Sequence, residues 1–283
     1  MDTIPRYFIT PILAGGGARL PAHVGVLQAL KELGYGYRHL VGVSGGSVIA
    51  ALAATGFSCE AMRRLFLQVD FSRFQGYSIF NLLLHGGLSD GVKFEQWMNE
   101  QLQGVCFADL ETHLHIVATD VRSGQPVIFN RETAPELPVA KAVLYSISIP
   151  LLFSFHQYQQ YLLVDGSILA EDGLFRDWAG DGTPVICFRI RDKRRADAGF
   201  AGHLVPLADY LVLLVRTFMS TISREYLNEA VWINTILIES DGLSPLEFRM
   251  TQAQKNRLYD LGYQTTCNIL PVKMARRKSI ENA

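Results

Sequence analysis

A serine set among glycines, Gly42-Val43-Ser44-Gly45-Gly46-Ser47, follows the apolar run 39–43 and precedes a stretch of small residues. Strand, sharp turn and helix in that order are what an activated nucleophile needs. The hydroxyl stands at the turn, and the helix aims its N-terminal N–H groups and positive dipole end at the reacting centre. Gly42 and Gly46 remove Cβ atoms where neighbouring backbone has to approach closely. The same residues also suit a plain helix cap, with Ser44 covering the first turn of a helix over residues 48–54. A second glycine run, Gly15-Gly16-Gly17-Ala18-Arg19, joins a strand over 7–13 to a helix over 21–33. Its backbone N–H groups can face a developing oxyanion. Neither glycine fingerprint of a nucleotide loop is present, which argues against a phosphate there.

A serine hydroxyl is a weak nucleophile until a base takes its proton. Two arrangements compete. Ser44, Asp165 and His203 follow the chain order of an α/β-hydrolase triad. In that fold, however, several strands precede the elbow, whereas here only one strand and one helix come before the elbow strand. His203, beside a charged loop, reads as a surface histidine. The other arrangement is a dyad in which a carboxylate takes the proton directly. Asp165 ends the apolar run 161–164 and is followed by glycine. Asp120, at the end of a strand over 114–119, is its rival. In a parallel sheet chemistry collects at the carboxyl ends of the strands, where Ser44, the glycine run and Asp165 all fall.

The elements that must hold these residues alternate. Strand 7–13, helix 21–33 and strand 38–43 form a crossover unit, which implies parallel strands and a right-handed connection. Further helices are expected over 59–69, 92–102, 138–147, 204–227 and 245–262. Further strands are expected over 127–129, 158–164, 184–190 and 233–239. Residues 71–84 are aromatic and irregular, and the apolar segment 71–88 is expected either to pack under the sheet edge or to form a lipid-facing flap. Residues 274–283 read as a basic, frayed tail. No repeat or linker divides the chain, so residues 1–283 are expected to form one domain.

Composition bounds the function. Of 283 residues, 49% are apolar and 19% charged, and the net charge is -1, which excludes a basic nucleic-acid binder. Cys59, Cys106, Cys187 and Cys267 lie far apart, without a metal or redox spacing, so reduced thiols in a cytoplasmic setting are expected. Residues 1–6 show no signal-peptide pattern. The greasiest later run, 204–219, is interrupted by Asp209 and Arg216, so membrane contact is expected to be peripheral, at the inner face. The basic segment 273–278 could touch anionic lipid there.

Taken together, the blocks resemble the patatin-like phospholipases. Gly15-Gly16-Gly17-Ala18-Arg19 before a helix bearing His23 is similar to that family's first block, and Gly42–Gly46 to its nucleophile elbow. Asp165-Gly166 is similar to its third block. Gly87–Gly91, Ala118-Thr119-Asp120 and Ser146-Ile147-Ser148-Ile149-Pro150 match lesser features in the same order. The resemblance covers residues 8–190, with a helical part over 204–283. It implies a three-layer α/β/α fold with a central, mainly parallel sheet. It also implies a Ser44–Asp165 dyad, an oxyanion hole from Gly15, Gly16, Gly17, Ala18 and Arg19, and no metal or organic cofactor. The implied reaction is hydrolysis of phospholipid or lysophospholipid esters through an acyl-enzyme. In the first block Leu20 and Pro21 replace the glycine usual after the basic residue. That departure motivates a second reading, a regulatory module that binds lipid or fatty acid without turnover. An acyltransferase using the same dyad is a third.

Overall fold

The computed structural model describes residues 5–74, 81, 85–168, 174–191 and 232–281 of the chain, with side chains to residue 277. In chain order the first elements are β1 (Tyr7–Phe8), β2 (Thr10–Ala14), α1 (Pro21–Glu32), β3 (Tyr35–Gly36), β4 (His39–Val43), α2 (Gly45–Ala54) and α3 (Cys59–Gln68). Then come β5 (Gly87–Ser89), α4 (Val92–Leu102), β6 (His113–Asp120), β7 (Gln125–Phe129), α5 (Val139–Ile147) and β8 (Leu151–Phe153). The last are β9 (His156–Tyr158), β10 (Tyr161–Val164), β11 (Val185–Arg191), β12 (Thr235–Glu239) and α6 (Gln252–Glu281).

The main sheet runs β12-β11-β2-β4-β6-β10-β9, with β7 also on β6. Every pair from β12 to β6 is parallel. β7, β9 and β10 join antiparallel. The architecture is thus mixed α/β around a central, mainly parallel sheet. Strands buried on both faces need apolar residues at successive positions rather than at alternate ones. Leu13, Leu40 and Ile116 face the larger core, which α1, α2, α5 and α6 complete. Ile12, Val41 and Val117 face the other side, where Leu174 and Trp178 cover them.

One feature of the sheet brings Ser44 and Asp165 together. β4 pairs with β6 as far as Val43 opposite Val117, while β7 holds the far edge of β6 from Ile116 to Asp120. β10 therefore shares β4's edge of β6, entering from the opposite direction, with Val164 opposite Thr119. The two strands meet head-on along one edge. Ser44 leaves the end of one, and Asp165 leaves the end of the other.

Four expectations needed correction. The run 7–13 is not one strand: β1 pairs with β3 in a small sheet of their own, and only β2 belongs to the main sheet. The run 158–164 is not one strand but a hairpin, β9 and β10, that turns at Gln159, whose φ is 51°. The last helix starts at Gln252 rather than at 245. Thr251 and Gln254 form a reciprocal cap there: the Thr251 N–H donates to Gln254 Oε1 at 2.8 Å, and the Gln254 N–H to Thr251 Oγ1 at 3.2 Å. The presumed tail 274–283 is helical to Glu281 as the end of α6. That helix lies tightly on α1, where a Cβ at Gly262 would stand 1.9 Å from the Ala22 carbonyl oxygen. The expected helix 204–227 and His203 lie outside the described residues. Among the described residues no helix is long and apolar enough to cross a membrane.

Candidate active site

Ser44 stands where β4 gives way to α2, with φ 54° and ψ −133°. A non-glycine residue in that conformation is strained, and it persists only when its surroundings hold it. Its side chain makes no capping hydrogen bond, so the plain helix-cap reading fails. The Ser44 N–H donates to Ser146 Oγ at 2.9 Å, and Ser47 Oγ donates to the Ser44 carbonyl at 2.6 Å. The elbow glycines are needed for contact. A Cβ at Gly46 would lie 2.0 Å from the Leu13 carbonyl oxygen, and one at Gly42 would lie 2.5 Å from Ser47 Cα. Without them α2 could not fold back over β2 and β4.

Ser44 Oγ donates to Asp165 Oδ2 at 2.6 Å. Both residues are buried, at 1% and 0% exposure, so no bulk water competes for that bond. The other oxygen, Oδ1, accepts the Ser167 N–H at 2.8 Å and the Ser167 hydroxyl at 2.5 Å. Burial pushes the Asp165 carboxyl above the usual carboxylate range, against the lowering pull of the Ser167 and Ser44 hydrogen bonds. A buried carboxylate with a raised affinity for protons suits a base. Asp120, the rival, is consumed by the turn between β6 and β7. Its oxygens accept from the Ser123 hydroxyl at 2.6 Å and the Leu162 N–H at 2.9 Å. Those bonds hold its carboxyl down at about 2. No histidine among the described residues bonds to Ser44 or Asp165.

The glycine run passes beside the elbow. The Gly15 N–H donates to the Val43 carbonyl at 3.1 Å, Ala18 to Pro245 at 2.8 Å, and Arg19 to Gly16 at 3.0 Å. Gly16 and Gly17 keep N–H groups without a protein partner among the described residues, as does Gly45 at the start of α2. The five-residue loop is thus narrowed to two donors, joined by one from the residue after the serine. Arg19 is buried and braces the loop. Its Nε donates to the Gly16 carbonyl at 2.9 Å, and one terminal nitrogen donates to Ser240 Oγ at 2.8 Å. A Cβ at Gly17, whose φ is 53°, would stand 2.2 Å from the Pro245 carbonyl oxygen. His23 lies beneath, with Nε2 3.2 Å from the Gly15 carbonyl oxygen and its pKa lowered to about 4 by burial. It is therefore neutral at physiological pH.

Ser44 opens into a cleft with an empty volume of about 530 Å³, open mouth included. Leu20, Val48, Phe71, Phe74, Phe94, Ile147, Ile149, Phe153 and Phe248 line it, together with Gly17, Ala18 and Gly45. None of these carries a charge. Leu20, the unusual residue of the first block, is buried and forms part of this wall, and Pro21 sits at the first position of α1. Phe71 and Phe74 are likewise buried in the cleft wall, while most of the aromatic stretch beyond them lies outside the described residues.

Sequence reasoning missed the supporting residues. Ser146 and Ser240 act through hydrogen bonds to residues far from them in sequence, Pro245 through its backbone carbonyl, and Ser167 through the Asp165 carboxylate. Only Ser167, two residues after Asp165, carried a local signal: a serine there can bond back to the aspartate, as in an Asx-type turn.

A sequence model described as patatin-like phospholipase matches residues 12–174, more than half of the chain. The uncharacterized protein YqhO of Bacillus subtilis is 25% identical over 92% of this chain and 97% of its own. An uncharacterized NTE family protein of Mycobacterium tuberculosis is 32% identical over 56% of this chain, a stretch that spans 42% of that protein. Among solved structures, VipD of Legionella pneumophila superposes with a TM-score of 0.61 at 16% identity, over 94% of this chain and 67% of that one. That likeness concerns the fold.

Proposed function

The chain belongs to the patatin-like phospholipase family, and from that premise we propose that it hydrolyses carboxylic esters of phospholipids or lysophospholipids with Ser44 as nucleophile and Asp165 as base. The observation that carries this reading is the 2.6 Å bond from Ser44 Oγ to Asp165 Oδ2 at the floor of an uncharged, apolar cleft. Lipid acyl hydrolysis is the general activity of the family; the residue roles follow from the resemblance of the three blocks and are supported by the geometry of the site.

Asp165 takes the Ser44 proton as Oγ attacks the ester carbonyl carbon. The carbonyl oxygen becomes negative and faces the N–H groups of Gly16, Gly17 and Gly45, with the helix dipole of α2 behind them. Gly15, Ala18 and Arg19 hold the loop in shape. The protonated Asp165 passes its proton to the leaving alcohol oxygen as the ester C–O bond breaks, leaving the acyl group on Ser44. Water, deprotonated by Asp165, then attacks that acyl carbon; as the Oγ–acyl bond breaks, Asp165 returns the proton to Ser44 Oγ and the fatty acid leaves. The apolar wall suits the acyl chain. The polar part of the substrate would stay at the cleft mouth, where the enzyme meets a membrane surface. The chemistry uses no metal or organic cofactor.

The test is a fluorophosphonate label together with fatty-acid release from a phospholipid and lysophospholipid panel. Labelling should vanish in Ser44→Ala. Release should vanish in both Ser44→Ala and Asp165→Asn, with circular dichroism unchanged. Labelling that survives Ser44→Ala would sink the assignment. Fatty-acid binding without release by the unaltered protein would favour the regulatory lipid-binding module instead.

A further inference from the structure

We propose that the C-terminal turn of α5 positions both members of the dyad, and that Ser146 is a positioning residue for the nucleophile; this rests on the Ser44–Asp165 reading above. Where β4 and β10 meet head-on, each strand end has an N–H beyond the ladder that needs an acceptor. Both acceptors come from one turn. Ser146 Oγ accepts the Ser44 N–H at 2.9 Å, and the Ser148 carbonyl oxygen accepts the Asp165 N–H at 2.9 Å.

The orientation of Ser146 is fully determined. A hydroxyl has one proton to give. Ser146 gives it to the Val117 carbonyl oxygen at 2.6 Å, which leaves a lone pair for Ser44. Val117 is the β6 residue opposite the last residue of β4. Its carbonyl is also where a Cβ at Gly166 would stand at 2.0 Å, so the Asp165-Gly166 turn presses on the same atom. Ser146 is wholly buried, as is Ser148, whose own hydroxyl is tied to the Leu144 carbonyl at 2.6 Å. Ser148 has ψ 73°, which turns its carbonyl out of the helix toward Asp165. The residues between and beyond the serines, Ile147 and Ile149, line the cleft. Along four residues the chain thus alternates between holding the dyad and shaping the acyl wall.

Ser44 is strained, so the Ser146 bond decides whether its Oγ stays in line with Asp165 Oδ2. The Ser44 N–H is committed to this role and is no oxyanion donor. Loss of the bond should lower the rate of the chemical step and leave ground-state binding alone.

The experiment measures hydrolysis of p-nitrophenyl butyrate by the full-length protein and its Ser146→Ala, Ser146→Thr, Ser146→Cys and Ser44→Ala variants, with thermal unfolding recorded for each. Ser146→Ala should lose roughly 10- to 100-fold in kcat with KM unchanged. Ser146→Thr, which keeps the hydroxyl, should recover most of that loss. Ser146→Cys, a weaker acceptor of similar size, should fall between them, and it carries the test if Ser146→Ala does not fold. Unaltered kcat in Ser146→Ala or Ser146→Cys, or equal losses in Ser146→Ala and Ser146→Thr, overturns the positioning role while leaving the dyad intact. Equal hydrolysis by the unaltered protein and Ser44→Ala, or none by either, removes the dyad reading and this inference with it.

Discussion

β4 is five residues long, and titratable groups are buried at both of its ends. At its start, the His39 ring stacks on His113 at 4.5 Å, and its Nδ1 lies 3.1 Å from His115 Nε2. His115 Nδ1 in turn lies 3.2 Å from Asn130 Nδ2, and Trp178 packs against the ring at 4.9 Å, with Arg176 over Trp178. Burial first, then the neighbouring His39 and Arg176, push His115 down to about 3. At the other end, burial pushes Asp165 up. A perturbed proton affinity is therefore common to both ends and distinguishes neither. The serine end alone combines a strained residue, N–H groups without protein partners, and an apolar opening onto them. The histidine end closes on itself in rings and an amide. Among the described residues, no group of three His, Cys, Asp or Glu is disposed to hold a metal ion. A shifted pKa becomes a functional clue only where something is left for a substrate to touch.

The contrast can be broken most directly by substitution at each end. Ser44→Ala or Asp165→Asn should cost at least about 10³-fold in kcat/KM. His113→Asn should change it less than about twofold, since surface and remote sites rarely matter more. A large loss at the histidine end would erase the distinction. Next in size is Gly17→Ala. Its Cβ would collide with the Pro245 carbonyl, and its φ is positive, so the donor loop must shift. A loss of about 10²-fold in kcat is expected, with KM little changed.

The pH profile sharpens the comparison. The base must be deprotonated, and its folded-state pKa is raised, so activity should fall with acid at a pH above the ordinary carboxylate value. Ser167 lowers that pKa by hydrogen bonding. Ser167→Ala should therefore move the acid limb of kcat/KM to higher pH. A limb that stays put would deny Asp165 the role of base. The smallest effect on activity is expected from His115, where the readout is stability. Its folded-state pKa of about 3 lies below the ordinary 6.5. The unfolded chain then binds the extra proton, so stability declines as pH falls from 6.5 toward 3, by roughly 2 kcal/mol at pH 5. Thermal unfolding of His115→Gln across that range should show a flatter decline, with turnover at pH 8 unaltered.

Sequence alone carried the serine elbow, the glycine loop and the aspartate, because each is a local exchange between strand and turn with glycine where backbone must crowd. It also carried strands β2, β4, β6, β11 and β12 and helices α1 to α5. It marked Ser146 as part of a family feature but not its role, because nothing in a helix ending in serine says that its hydroxyl will meet an N–H 102 residues earlier. Leu20 looked like a threat to the loop when only its size was known; buried, it is part of the apolar cleft wall. The hairpin at Gln159 was hidden by the aromatic and apolar residues on both sides, which read as one strand although two glutamines interrupt them. The segment 245–251 was misread as helix because its long-range duties, accepting the Ala18 N–H at Pro245 and lining the cleft with Phe248, leave no periodic trace.

The head-on meeting of β4 and β10 has a temporal meaning. The reacting oxygen atoms come from residues 121 apart in sequence, and they face each other only across the edge of a third strand. A nascent chain that has emerged as far as β4 carries its serine with no base. A chain folded through β6 still lacks the partner strand. The pair is therefore complete only once β10 has docked on β6, which makes recovery of the Ser44–Asp165 contact during refolding a stopwatch for that step.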